Sequence, residues 1–196
     1  MSDYSEIAAR FAGHAVTVLH EDGLYRHLRF ENADSRYTFE LITWPYNLVV
    51  KTGWTFHFDI DATPDMFDLF RRTALTGQIN PGYWSEKVRA GRDEIEGFDP
   101  NLFEQQVKRY VVHSIRDGEA PRGIGAEVTR EIFELGDVWH EAGARAALAD
   151  FRYQGWDFGD LSEWDFSDYT PGFLHCCHAI RCGIDLYDAA RKQVAA

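Results

Sequence analysis

Two short stretches carry side chains able to do chemistry. In WTFHFDID, residues 54–61, an extended backbone sends alternate side chains to opposite faces. His57, Asp59 and Asp61 then share one face, and Trp54, Phe56, Phe58 and Ile60 the other. An imidazole beside two carboxylates suits a divalent cation or a proton transfer. In FLHCCHAIRC, residues 173–182, His175, His178 and Cys182 fall at i, i+3 and i+7 on one helical face, a spacing suited to a metal. Neither set is complete. A structural zinc site takes four ligands, usually in paired short spacings, and C-x-x-C is absent. G-x-S-x-G, H-E-x-x-H and EF-hand spacing are also absent, and RGIGAEVTRE around Gly123 and Gly125 lacks both the third glycine and the Lys-Ser/Thr ending of a phosphate loop. The plainer readings are the wet face of an edge strand and a packed helix face. No catalytic residue is therefore assigned and no cofactor is expected, with a metal-dependent enzyme of unknown substrate kept as an alternative.

A third stretch repeats itself. GWDFGDLSEWDFSDY, residues 155–169, contains WDF-x-D twice, at Trp156 to Asp160 and at Trp164 to Asp168. Residues 153–170 hold five acids (Asp157, Asp160, Glu163, Asp165, Asp168) and six aromatics, without a Lys or Arg. Such a segment can plug its rings into a core as a compact loop, with Asp and Ser closing local turns. It can also recognise a partner, because rings supply contact area and carboxylates select a basic surface. The partner-binding set expected on this reading is Trp156, Asp157, Asp160, Glu163, Trp164, Asp165 and Asp168.

The elements that must position these residues are of two kinds. After a short helix over Tyr4 to Ala12, with Ile7, Ala8 and Phe11 inward, segments 15–20, 24–31, 36–44, 46–51 and 54–60 are rich in β-branched and aromatic residues and separated by turn signals. Short connections imply an antiparallel meander. Beyond residue 62, four pairs, Thr63-Pro64, Asn80-Pro81, Asp99-Pro100 and Thr170-Pro171, join a capping side chain to a proline suited to the first helical position, which marks four helix starts. The second of these helices runs through PGYWSEKVRAG to Gly91, and the last runs from Pro171 to about Lys192. Ile132, Leu135, Val138, Trp139 and Ala142 keep helical period within Ala126 to about Arg152, although Gly136 and Gly143 weaken an unbroken rod. The expected class is α+β, with an antiparallel sheet of about five strands in the N-terminal part packed by helices from the C-terminal part. The expected organisation is a single domain over 1–196, divided into a short helix plus meander (1–62) and a helical part (63–196).

Composition narrows the function. The 196 residues are 45% hydrophobic and 15% aromatic, enough for a packed core, and a net charge of -12 repels nucleic-acid phosphates and anionic membranes while drawing in basic surfaces. Direct nucleic-acid binding and membrane association are not expected. MSDYSEIAARFAGHA carries acids where a secretory leader needs a basic start, and no stretch approaches the roughly 20 apolar residues of a membrane span, which points to the cytosol. Cys176, Cys177 and Cys182 lie on one helix, where six residues rise about 9 Å, beyond the roughly 7 Å limit of a disulfide, so reduced thiols are expected.

PDMFDLFRR (64–72) followed by INPGYWSEKVRAG (79–91) resembles an uncharacterised group of small proteins encoded by phages and prophages, in which a β-rich half precedes a D-M-F-x-x-F-R helix and an N-P-x-Y-W-x-E-K segment. The likeness covers about residues 20–92. It implies a phage accessory protein of the host-cell cytosol and transfers no catalytic residue. Small acidic accessory proteins of phages often bind host machinery, anti-CRISPR inhibitors among them. Charge and resemblance together lead to one expectation: a non-enzymatic monomer or homodimer that binds the basic protein surface of a host nucleic-acid-binding defence complex. A phage structural or assembly protein is the other alternative.

Overall fold

Alternation of buried with half-buried or exposed residues along the four central strands builds the sheet. The computed structural model describes residues 7, 9–34, 36–75 and 78–194. The helix expected over Tyr4 to Ala12 lies partly outside these residues, but Ile7 and Phe11 are buried as its pattern requires. The chain packs as two compact units, Met1–Ile95 with Tyr169–Ala196, and Glu96–Asp168. Each has its own hydrophobic cluster.

In the first unit, β1 (Ala15–Asp22), β2 (Tyr25–Glu31), β3 (Phe39–Trp44), β4 (Asn47–Lys51), β5 (Thr55–Asp59) and β6 (Val88–Ala90) form one antiparallel sheet in sequence order. The class is α+β, as expected, with six strands. Registers Leu28↔Leu41, Leu41↔Val50 and Val50↔Phe56 run an apolar row across one face. Helix α1 (Met66–Thr73) and the long α6 (Pro171–Val194) contribute Met66, Phe67 and Phe70, and Phe173, Cys177, Ile180 and Ile184, to the same cluster. A Cβ at Gly183 would lie 2.7 Å from a Leu41 methyl and 3.0 Å from the Phe39 ring, so α6 lies nearly in backbone contact with the sheet there.

Three of the four capping pairs start helices. Asn80, Asp99 and Thr170 accept backbone N–H groups from Tyr83, from Asn101 and from Phe173, at the heads of α2 (Pro81–Ser85), α3 (Pro100–Arg116) and α6. At Thr63-Pro64 the cap is instead Asp65, which accepts from Phe67 N at 2.9 Å, while the Pro64 carbonyl takes the Tyr46 N–H. The helix expected through PGYWSEKVRAG is also shorter. It ends at Ser85, and Val88 pairs with Phe58 at the sheet edge, because burying Val88 on the apolar face outweighs another helical turn.

The second unit begins with β7 (Glu96–Phe98) and α3, and continues through α4 (Ile124–Val128), a π-helical turn (Thr129–Glu134), α5 (Glu141–Asp150) and a long connection to β8 (Ser167–Tyr169), which pairs with β7. Phe103, Val107, Val111, Ile124, Val128, Ile132, Leu148, Phe151, Phe158 and Phe166 fill its core. The helical period expected through 126–152 breaks at residues 135–140. Gly136 and Gly143 permit the break: a Cβ at 136 would stand 2.5 Å from the Ile132 carbonyl oxygen, and one at 143 only 2.0 Å from that of Asp137.

Candidate functional site

The two copies of WDF-x-D place their side chains alike, although the second runs into β8 and the first does not. Each Phe, Phe158 and Phe166, is buried, whereas Trp156 and Trp164 are half-buried and flank Tyr110 of α3 at ring separations of 6.0 and 5.1 Å. The Asp after each Trp accepts a hydrogen bond two residues on, Asp157 from Gly159 N at 2.8 Å and Asp165 from Ser167 N at 2.9 Å. Asp160 repeats the turn with Ser162 N at 2.8 Å. The rings thus nail an irregular segment to α3, and all five carboxylates are exposed. Gln106 of α3 donates to the Asp165 carbonyl at 2.6 Å, and Arg145 of α5 to that of Trp164 at 2.9 Å, fixing the segment from both sides. Of the expected set, therefore, the carboxylates face solvent and the indoles serve mainly as packing.

Electrostatics sharpen the picture. Sixteen of the 32 acidic residues but only seven of the 20 basic ones lie between 96 and 168, so the second unit carries -9 of the chain's -12. Hydrogen bonds from Ser162 and Ser167 backbone N–H hold Asp160 and Asp165 below the ordinary carboxylate range, so both stay charged in mild acid. Asp157 shares its charge with exposed Arg152 at 3.5 Å. Surface pairs of this kind are worth about 0–1 kcal/mol and leave the field negative.

One concavity interrupts this field. Gln106, Arg109, Tyr110 and His113 on α3, with Glu163 and Trp164, line an open groove of about 410 Å³. Tyr110 and Trp164 form its aromatic wall. The side chains of Arg109, His113 and Glu163 have no hydrogen-bond or ion-pair partner among the described residues, so polar capacity is left for a ligand.

The metal and thiol candidates are occupied or apart. His57 donates to Asn47 Oδ1 at 2.7 Å and stacks on Trp44 at 5.5 Å, Asp59 is held by Arg89, and Asp61 is exposed beyond the strand. His175 is 4% exposed against the rings of Phe11, Tyr37 and Trp54. Burial lowers the basicity of His175 and of His178. Burial also pushes the Cys176 and Cys182 thiols up to about 11 and Cys177 well above its ordinary value, which removes the thiolate a nucleophile or ligand needs. Among the described residues no group of three or more His, Cys, Asp or Glu side chains is placed to hold a metal ion. The three cysteines are free, in line with the spacing argument. Among those residues, no helix is long and apolar enough to cross a membrane.

Leu135 and Trp139 were hidden by their spacing. Helical period assigns them to the core, yet they are 71% and 82% exposed, the most exposed large apolar residues of the described chain. Their neighbours Gly136 and Gly143 are the one sequence signal that the helix fails there.

The fold and this surface define an α+β protein with an acidic second unit. No family model matches the chain, and neither a curated protein nor a solved structure does.

Proposed function

We propose that this chain is a non-enzymatic binding protein that inhibits a host nucleic-acid-binding complex by docking its acidic 157–168 segment onto that complex's basic face. The observation that carries the reading is the outward placement of Asp157, Asp160, Glu163, Asp165 and Asp168 on an anchored loop within a unit of charge -9. A groove built for phosphates meets the same sign of charge there, without bases, and steering by opposite charge speeds encounter. The resemblance to phage-encoded accessory proteins supplies the context of an anti-CRISPR type of inhibitor in the host cytosol.

The test is target-DNA cleavage by a purified, guide-loaded CRISPR effector from the natural host. The chain should inhibit it stoichiometrically and lose potency as salt rises. Asp157→Asn, Asp160→Asn, Asp165→Asn and Asp168→Asn combined with Glu163→Gln should raise the inhibitory concentration by at least about tenfold. Asn retains the i to i+2 turn, so the variant keeps its fold. Undiminished inhibition by that folded variant, or no inhibition by the parent, rejects the reading.

A further inference from the structure

Two features of the second unit, a tip and the groove that Glu163 of the docking segment helps to line, complement each other. The first is a tip. Residues 135–140 are held by buried Ile132, by half-buried Phe133 and Val138 in the core, and by His140, whose Nδ1 accepts Gly143 N–H at 3.0 Å while Nε2 donates to Asp137 at 3.1 Å. Leu135 and Trp139 are consequently presented to water from a fixed loop, and four residues of chain keep them within about 14 Å of each other. EIFELGDVWHE, residues 131–141, holds four acids and no Lys or Arg. Glu131 and Glu141 are taken by Arg130 and Arg145, and the Glu134 side chain has no partner among the described residues.

The second feature is the groove. It offers aromatic walls, Tyr110 and Trp164, beside Arg109 and His113, in a unit that is otherwise strongly acidic. An indole flanked by carboxylates fits that combination through apolar contact, stacking and cation attraction together. The tip's anchor and the groove both use α3: Phe133 packs on Phe103 at 6.2 Å and lies 5.7 Å from the Lys108 ammonium, and Arg109 and Tyr110 are the next two residues of that helix. A two-fold axis pairs two such surfaces reciprocally.

We infer that two copies of this chain associate through this pair, each seating its Trp139 and Leu135 tip in the other's groove, with Arg109 facing Glu134 and Asp137. The contact is used twice and closes as a dimer. It shares Glu163 with the inhibitor reading but does not rest on it.

Sedimentation velocity over a dilution series of the full chain tests it, with tryptophan emission recorded on the same samples. A monomer–dimer equilibrium is expected, with emission shifting to shorter wavelength as the dimer forms. Trp139→Ala with Leu135→Ser should weaken association at least about tenfold and abolish the shift, and both sites are exposed enough to leave the melting temperature unchanged. Arg109→Glu should weaken association, and adding Glu134→Lys and Asp137→Lys should restore it. Glu163→Gln removes a like charge from the groove and should tighten the dimer, whereas the inhibitor reading has the same change weaken target inhibition. A parent that stays monomeric at every concentration, an open-ended polymer, unaltered association in the tip variant, or failed rescue in the charge-reversed protein each overturns the inference. Loss of target inhibition with an intact dimer would touch only the inhibitor reading.

Discussion

Arg26 and Asp65 meet fork to fork, with Nη1 and Nη2 donating to the two carboxylate oxygens at 2.9 and 2.8 Å, while the same carboxylate caps helix α1 through Phe67 N. Arg26 is 9% exposed and lies over the Phe67 ring at 4.9 Å. One carboxylate thus ties β2 to the first turn of α1.

Removing that carboxylate loses the cap and strands a buried guanidinium. Asp65→Ala should destabilise the protein by about 3–5 kcal/mol, measured by urea unfolding. Asp65→Asn retains the cap and should fall short of that by about 1 kcal/mol.

A second prediction concerns acid. Burial, aided by repulsion from Arg10 and His178, drops His175 from 6.5 to about 4. Between those values the unfolded chain binds a proton that the folded chain refuses, so stability should fall as pH drops from about 6.5 to about 4, by on the order of 3 kcal/mol. Burial opposes the charge on Asp65, but Arg26 outweighs it and holds the carboxyl below its ordinary 3.8, so its contribution is lost only at lower pH. Urea midpoints at about pH 7 and about pH 4.5 should therefore differ less in His175→Leu than in the parent.

Packing at Gly183 offers a third check. A methyl there meets Leu41, Phe39 and Phe30 at 2.7 to 3.1 Å. Gly183→Ala gains helix propensity of about 1 kcal/mol but overpacks the sheet contact by about 1–3 kcal/mol, and thermal melting should show net destabilisation.

The thiols give a fourth. With Cys176 pushed up to about 11, Cys177 higher still and both buried, a disulfide reagent at neutral pH should label these two in the native protein only at the rate of opening, whereas half-buried Cys182 should react ahead of them. Rapid labelling of Cys176 or Cys177 before denaturant is added would contradict the burial described.

The sequence carried the sheet well because its signal is local. Phe39, Leu41 and Thr43 alternate with half-buried partners whatever the helices do. Caps such as Asn80 and Asp99 were equally readable, since each acts within three residues. Strand β6 was not, because three residues have no period of their own and Val88 gains its place only from Phe58 across the sheet. Trp139 misled for the converse reason: its spacing from Ile132 and Leu135 is helical, and only the π-helical turn and the loop after it carry it off the core face. The two hydrophobic clusters have no local signal of their own, as the chain passes through Ile95 and Glu96 without a Gly- or Pro-rich linker. For the 153–170 segment, composition left the direction of the carboxylates open, and the inward turn of Phe158 and Phe166 depends on Tyr110 and Phe103, some fifty to sixty residues earlier in the chain.

The order of elements also sets a timetable for synthesis. The second unit is one continuous stretch and can close its core while the ribosome is still adding α6. The sheet has no such independence: the apolar side of β2 to β5 stays without its main cover until Phe173, Cys177, Ile180 and Ile184 emerge. A nascent chain stalled before Pro171 would therefore present a finished insert beside a greasy, half-built host, the species that a chaperone would find first.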